Sequence, residues 1–226
     1  MKYNNLRHGV FISRPNRFIA NVKINGKVEI CHVKNTGRCR ELLTNRARVI
    51  VQESDSPDRK TRFDLINVYK GDSLINMDSQ APNKIFAEWA PKSGIFGSIT
   101  LLRPETRFGN SRFDFYIEAD GRQAFVEVKG VTLEEDGIVR FPDAPTERGV
   151  KHVRELMECI NEGYDAYVVF IVQMKDVRYF EPNWNTHREF GEALREAAAN
   201  GVRVLAVDCE VTEDTIEARD LVEVRL

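Results

Sequence analysis

The sequence predicts an α/β protein with an all-β N-terminal part, in which a small barrel is followed by a mixed sheet flanked by helices. Two observations carry this. Short segments with strand character crowd residues 9–76, whereas long helical stripes begin only after residue 79. Later, two strongly apolar β-type segments, AYVVFIV and VRVLAV, each follow a helical stretch, as in a βαβ unit.

The first strands are GVFIS, RFIANVKI and KVEICHV, with Asn25-Gly26 as a hairpin turn between the last two. ARVIVQ, RFDLINVYK and DSLINM continue the meander. Between the two sets, NTGRCRELL reads as a Gly-initiated loop entering a short helix. Phe11 and Phe18 alternate as core residues do, which argues against their use as base-stacking platforms. About six short strands with one small helix predict a barrel of the OB type.

From Ser79 to Ala90, β-branched alternation stops and Ile85, Phe86, Trp89 and Ala90 fall along one helical face, which predicts a linking helix. The division is placed between residues 78 and 79. A strand near Ser98 to Leu102 precedes RFDFYIEA and QAFVEVKGV, which flank the turn residues Asp120 and Gly121. A helix is expected from about Glu147 to Asn161, with Pro145-Thr146 at its start and Val150, Val153, Leu156, Met157 and Ile160 as its apolar stripe. AYVVFIV is apolar on both faces, as in a central strand covered on both sides. Thr186 with Glu189 reads as a capping box, the helix it opens ends at Asn200-Gly201, and VRVLAV follows as a parallel neighbour.

With 42% hydrophobic and 30% charged residues, the composition is that of a soluble globular protein. No apolar run approaches the ~20 residues that span a bilayer, and the first residues lack signal-peptide character, so a cytoplasmic protein without membrane contact is expected. Cys31, Cys39, Cys159 and Cys209 show neither CxxC spacing nor disulfide-scaffold density and read as reduced structural thiols. Cys31, His32 and Cys39 lack the further ligands of a zinc site. No motif calls for an organic cofactor.

The net charge of -2 conceals an asymmetry. Residues 1–76 carry 15 Lys/Arg against 7 Asp/Glu, net +8, and the remainder carries 18 against 28, net -10. A basic module attracts phosphate backbones, while clustered carboxylates repel them unless they hold a cation, so the split suits a nucleic-acid binder with a metal site.

A type I′ turn at Asp120-Gly121 places Asp114 opposite Glu127 and Arg112 opposite Lys129. Alternation then puts Phe113, Phe115 and Ile117 with Ala124, Val126 and Val128 on the buried side, and Asp114, Glu127 and Lys129 together on the other. Opposed carboxylates repel unless a proton or cation intervenes, and oxygen ligands favour Mg2+ or Mn2+. Lys129 is placed to orient a bound water or to stabilise charge developing on phosphate.

SRFDF followed by FVEVKGVTL resembles the motif of the PD-(D/E)xK nuclease superfamily. NTGR, SRFDF, EVKGVTL and FPDAPTERGVKHVREL together resemble the sugar fermentation stimulation protein A (SfsA) family, over roughly residues 16 to 207. The resemblance implies an OB-fold DNA-binding domain over residues 1–78 and a nuclease-like domain of restriction-endonuclease type over residues 79–226. It makes Asp114, Glu127 and Lys129 the acid and the ExK, and puts Glu88 in the place of the acid on the preceding helix. Glu105 also stands at a family-typical position, as support for a metal site or as a structural residue. Phe113 replaces the usual proline before the first acid, and Pro145 stands where the family pattern has valine.

Arg148, His152 and Glu155 fall on one helical stripe, opposite the apolar one, where it can meet phosphate. Asp143, Glu147 and Arg148 are equally compatible with ion pairs or helix-dipole contacts, and His152 reads either as an aid to proton transfer or, as a lone exposed histidine more often is, as neither catalyst nor ligand. In the first domain, Arg14, Arg17, Lys34, Arg38 and Arg40 bracket a loop whose Asn35 and Thr36 can donate to phosphate. The expected function is a divalent-metal-dependent deoxyribonuclease with little sequence preference. The alternative is a non-catalytic DNA-binding regulator of sugar (maltose) metabolism genes.

Overall fold

A computed structural model describes residues 1–35, 37–56 and 59–226. Strands β1 (Leu6–Asn16), β2 (Ile19–Ile24), β3 (Lys27–Val33), β4 (Arg48–Glu53) and β5 (Phe63–Lys70) close into a five-stranded barrel. Its neighbours are antiparallel except β3 and β5, which run parallel from Cys31↔Phe63 to Val33↔Leu65 and seal it. Bulges after Phe11 and Ser13 bend β1, so that its first half pairs with β4 and its second half with β2. This is an OB-fold. Strand β6 (Ser73–Asn76) adds to the stretch of β5 beyond its pairing with β3.

Two readings of the barrel are corrected. The segment after NTGR forms turns rather than a helix. Cys39 and Arg46 adopt φ values of 46° and 65°, outside helical geometry, while Leu42 and Leu43 are buried under the barrel. Phe18 is not a core residue. Phe11 is 4% exposed, but Phe18 is 44% exposed, with the Arg17 guanidinium over its ring.

Helix α1 (Ala81–Trp89) follows, and a 3-10 turn continues it through Lys92. The second sheet contains β7 (Ile99–Phe108), β8 (Ser111–Ala119), β9 (Arg122–Val131), β12 (Asp165–Val172), β14 (Arg203–Val211) and β15 (Ile216–Val222), once the short β10 (Leu133–Glu135), β11 (Ile138–Phe141) and β13 (Tyr179–Pro182) are numbered in chain order. Its order is β15-β14-β12-β9-β8-β7, with β9, β12 and β14 parallel and the outer strands antiparallel. Helix α1 covers one face through Ile85 and Phe86, which pack with Phe115 and Val126. Helix α2 (Glu147–Asn161) covers the other through Val153 and Leu156, beside Phe113 and Phe125, and helix α3 (Arg188–Ala199) packs next to it.

Strands β10, β11 and β13 form a small separate sheet; neither they nor β15, at the edge of the six-stranded sheet, have a forecast in the apolar pattern. β7 runs six residues further than the expected Leu102, to Phe108. The α2 boundaries match the expected ones, and the Thr146 hydroxyl accepts from Gly149 N–H at 3.1 Å. The Thr186–Glu189 capping box is absent: His187 is the N-cap residue of α3, and Glu189 pairs with Arg154 at 3.1 Å.

All four cysteines are buried and unpaired. Burial pushes the Cys31, Cys39 and Cys159 thiols up to about 12, so they remain protonated. Among the described residues no helix is long and apolar enough to cross a membrane.

A seam of buried polar groups joins barrel to sheet. Asn76 Nδ2 donates to Asn67 Oδ1 (2.8 Å) and Tyr3 OH (3.1 Å), while Gln173 Nε2 donates to Asn76 Oδ1 (2.7 Å) and the Asp78 carbonyl (3.0 Å). Asn67 Nδ2 in turn donates to the Glu213 carbonyl at 3.1 Å. Each buried amide therefore finds partners, which burial requires.

Candidate functional site

The β8–β9 hairpin turns at Asp120 and Gly121, both at positive φ (49° and 74°), as a type I′ turn demands. Pairing runs from Ala119↔Arg122 to Phe115↔Val126, in the register expected from the turn, and stops one residue short of Asp114. There β8 departs from β9. Asp114 lies beside Glu127 without a ladder bond between them, and its carboxylate fills the gap: Oδ2 accepts from Val128 N–H (2.8 Å) and Oδ1 from Asn83 Nδ2 on α1 (2.9 Å).

The bend corrects the expected facing of Phe113. Phe115, Ile117, Ala124, Val126 and Val128 share the α1-side core as read from the sequence, but Phe113 joins Phe125 and Tyr116 on the α2 side. On β7, Glu105 stands across from this bend at φ 55°, a conformation rare for a non-glycine residue. Its side chain pairs with Arg112 at 2.9 Å, and both are largely exposed.

Glu127 is 3% exposed. Its Oε1 receives Lys129 Nζ at 2.5 Å and His152 Nδ1 at 2.7 Å, whereas Oε2 is buried without a hydrogen-bond partner. Arg148 Nε donates to His152 Nε2 at 3.3 Å, which leaves Nδ1 as the protonated nitrogen that donates to Glu127. Burial is the largest influence on Glu127 and raises its pKa. Hydrogen bonding from His152 and the charge of Lys129 outweigh it, and the carboxyl sits below its ordinary value. Asp114 goes the other way: burial first, then the Glu127 charge, pushes it above its ordinary value against the bonds from Val128 and Asn83. Two adjacent carboxylates thus have unlike environments.

His152 is the residue the sequence reading missed. Read as exposed, it is 5% exposed and lies against Phe113 at the Glu127 carboxylate. Its place in the i, i+4 stripe with Arg148 was visible, but the apolar stripe is wide enough to include position 152. Glu155, on the same stripe, accepts a bond from the Ser111 hydroxyl.

Glu88 is not brought to this pair, which corrects its assignment as a third acid. Its carboxylate is 2.7 Å from the Met1 ammonium and lines a separate cavity of about 460 Å³ with Glu217 and Asp220 of the opposite edge region. Asn83 occupies the turn of α1 nearest Asp114, and Glu88 lies five residues, about 7.5 Å, further along the axis. Among the described residues no group of three or more His, Cys, Asp or Glu side chains gathers as a metal site.

The basic residues of the barrel have mixed placements. Arg14 is corrected from a phosphate contact to a clamp: its guanidinium donates to the carbonyls of Arg17, Asn35, Gly37 and Arg38 at 2.7–3.0 Å. Lys34 is also occupied, with Asp64 at 3.1 Å and Asp78 at 3.7 Å. Asn35 is buried and accepts from Gly37 N–H at 2.8 Å, while Arg17, Arg38, Arg40 and Arg148 are exposed. Thr36 lies outside the described residues.

The NTGR and FPDAPT segments, distant in sequence, meet. Asp143 Oδ2 accepts from Cys39 N–H at 3.0 Å, and a Cβ on Gly37 would lie 2.7 Å from the same oxygen, so only glycine permits the approach. Both segments border a cavity of about 320 Å³ that also reaches Gly130, next to Lys129.

The four motifs are thus linked in space: NTGR meets FPDAPT through Asp143, and the helix after FPDAPT brings His152 to Glu127, beside Asp114. A family model for the sugar fermentation stimulation protein RE domain matches residues 80–215, and one for the SfsA N-terminal OB domain matches residues 12–77. The chain belongs to the SfsA family. It is 61% identical over 226 residues to the sugar fermentation stimulation protein homolog of Clostridium beijerinckii, covering 100% of both chains. The homolog from Desulfitobacterium hafniense strain Y51 is 63% identical over 226 residues, covering 100% of this chain and 99% of the relative. A solved SfsA structure from Pyrococcus furiosus, described as a complex with Ca2+, superimposes with a TM-score of 0.90 at 28% identity, covering 100% of this chain and 98% of that one.

Proposed function

We propose that this SfsA-family protein binds DNA with little sequence preference and hydrolyses its phosphodiester bonds with Mg2+ or Mn2+. The observation that carries the reading is Glu127 Oε2, a buried oxygen without a partner, on a carboxylate beside Asp114 and Lys129. A buried acceptor left bare is costly, and a hard cation satisfies it. Magnesium characteristically takes one or two protein carboxylates and completes its shell with water and substrate phosphate, which the Asp114–Glu127 pair fits without a third acid. The Ca2+ named for the Pyrococcus furiosus relative supports divalent-cation binding in the family.

Asp114 and Glu127 would hold the cation, which supplies a water of lowered pKa and polarises the phosphoryl group. Lys129, two residues along β9 from Glu127 and 2.5 Å from its Oε1, would stabilise charge developing on a phosphate bound beside the acid pair. His152 fixes the orientation of Glu127, leaving Oε2 available. The OB barrel with its net +8 segment supports DNA as the substrate, since such barrels carry nucleic acid on basic surfaces.

The test is incubation of the purified protein with supercoiled, linear and single-stranded DNA, with Mg2+, Mn2+ or EDTA, at two salt concentrations. Metal-dependent nicking or shortening that EDTA abolishes is expected. DNA retained at low salt but uncut with either metal overturns the catalytic part and leaves the binding-only regulator, and the absence of retention overturns both.

A further inference from the structure

The β7–β8 hairpin tip and the first turns of α2 enclose an open cleft of about 560 Å³, on the far side of His152 from Glu127. Arg112, Arg148 and Lys151 line it, against one acid, Glu147, and the Asn110 amide stands at its rim. None of the three cations is firmly neutralised. Arg148 spends Nε on His152 and has no carboxylate partner among the described residues. Among the described residues Arg112 meets only the exposed Glu105, and Lys151 lies 3.6 Å from Glu155, whose other oxygen is taken by the Ser111 hydroxyl. Arg148 and Lys151 are three residues apart on one helix and so present their charges side by side.

Like charges crowded on a concave surface repel one another, and an anion with several acceptor oxygens relieves the repulsion. The hydrogen-bonded chain Arg148–His152–Glu127 ties the wall of this cleft to the acid pair. We infer that Arg112, Arg148 and Lys151 form a subsite for a backbone phosphate of DNA, neighbouring the phosphate held at Asp114 and Glu127. The identity of the neighbouring phosphate rests on the nuclease reading; the cation subsite itself does not.

The experiment uses the full chain carrying Lys129→Ala, so that DNA survives the measurement, and follows binding of a fluorescent duplex by anisotropy across a salt series. Arg112→Gln and Lys151→Gln are compared with Arg219→Gln, on the opposite edge strand β15. Each of the first two should weaken binding for all sequences alike and reduce the slope of log K against log salt by about 1, and their combination by about 2, with Arg219→Gln unchanged. Unchanged slopes for Arg112→Gln and Lys151→Gln, or no DNA binding by the parent, overturn the subsite. Reduced slopes with a wild-type protein that cuts no DNA would retain the subsite and overturn the nuclease reading. Cutting with unchanged slopes would do the reverse.

Discussion

His152 Nδ1 lies 2.7 Å from Glu127 Oε1, and both side chains are almost wholly buried. The imidazole takes one carboxylate oxygen out of play and fixes the direction of the other. His152→Ala removes this constraint while leaving Lys129 on Glu127. Outer partners of metal ligands typically contribute about 10–100-fold to affinity or activity. The metal concentration for half-maximal cleavage should rise by about that factor in a metal titration, and His152→Gln should recover part of it.

Lys129→Ala should abolish cleavage of supercoiled DNA while DNA retention in a gel-shift assay stays within about threefold, because one of many cationic contacts is lost. Cleavage equal to wild type would remove Lys129 from the chemistry.

Asp64 sits 4% exposed in the barrel wall, bonded to both Arg59 terminal nitrogens (2.6 and 2.9 Å) and paired with Lys34. Burial raises its pKa, but the Arg59 and Lys34 bonds more than reverse this and hold the carboxyl below its ordinary value. A depressed folded-state value stabilises above the unfolded pKa, near 4, and the contribution is lost as pH falls through the folded one. Asp64→Asn removes one partner of a buried ion pair and should cost about 3–5 kcal/mol in urea denaturation at pH 7. The gap from wild type should narrow below about pH 4.

Asn76→Ala leaves Gln173 Nε2 and Asn67 Oδ1 short of a partner at the seam. A loss of about 1–3 kcal/mol is expected. Asn76→Ala combined with Gln173→Ala should cost less than the sum of the two, since they share a bond, and a double-mutant cycle measures the shortfall.

Phe170 is fully buried and stacked on Phe180, with ring centroids 4.1 Å apart. Phe170→Ala should cost about 3–5 kcal/mol through the cavity it leaves. Equilibrium unfolding reads this directly.

The barrel, the hairpin register, α1, α2 and the parallel β12–β14 pair were legible because each rests on local periodicity or turn chemistry. Asn25-Gly26, Asp120-Gly121 and Thr146 act over a few residues and need no tertiary context. The bend at Asp114 was not legible, since it depends on Asn83 and Val128 N–H arriving from other elements. For the same reason, Phe113 changed sides. Arg14 looked like a phosphate contact because charge is visible in sequence and a carbonyl partner is not. Phe18 alternates like a core residue, yet it follows the turn after β1, where strand alternation carries no weight. The motif resemblance named Asp114, Glu127 and Lys129, which the structure brings together, but the acid it carried over to Glu88 lies elsewhere, since a helix places residues by rotation as well as by order.

The amides at the seam, Asn67, Asn76 and Gln173, leave the barrel little freedom to pivot against the sheet. On the proposed DNA-cleaving reading the molecule would act as a ruler. A strand resting on the barrel would reach Glu127 after a fixed contour length, so the protein's own dimensions, rather than base sequence, would set where along a DNA molecule the first cut falls relative to the bound segment.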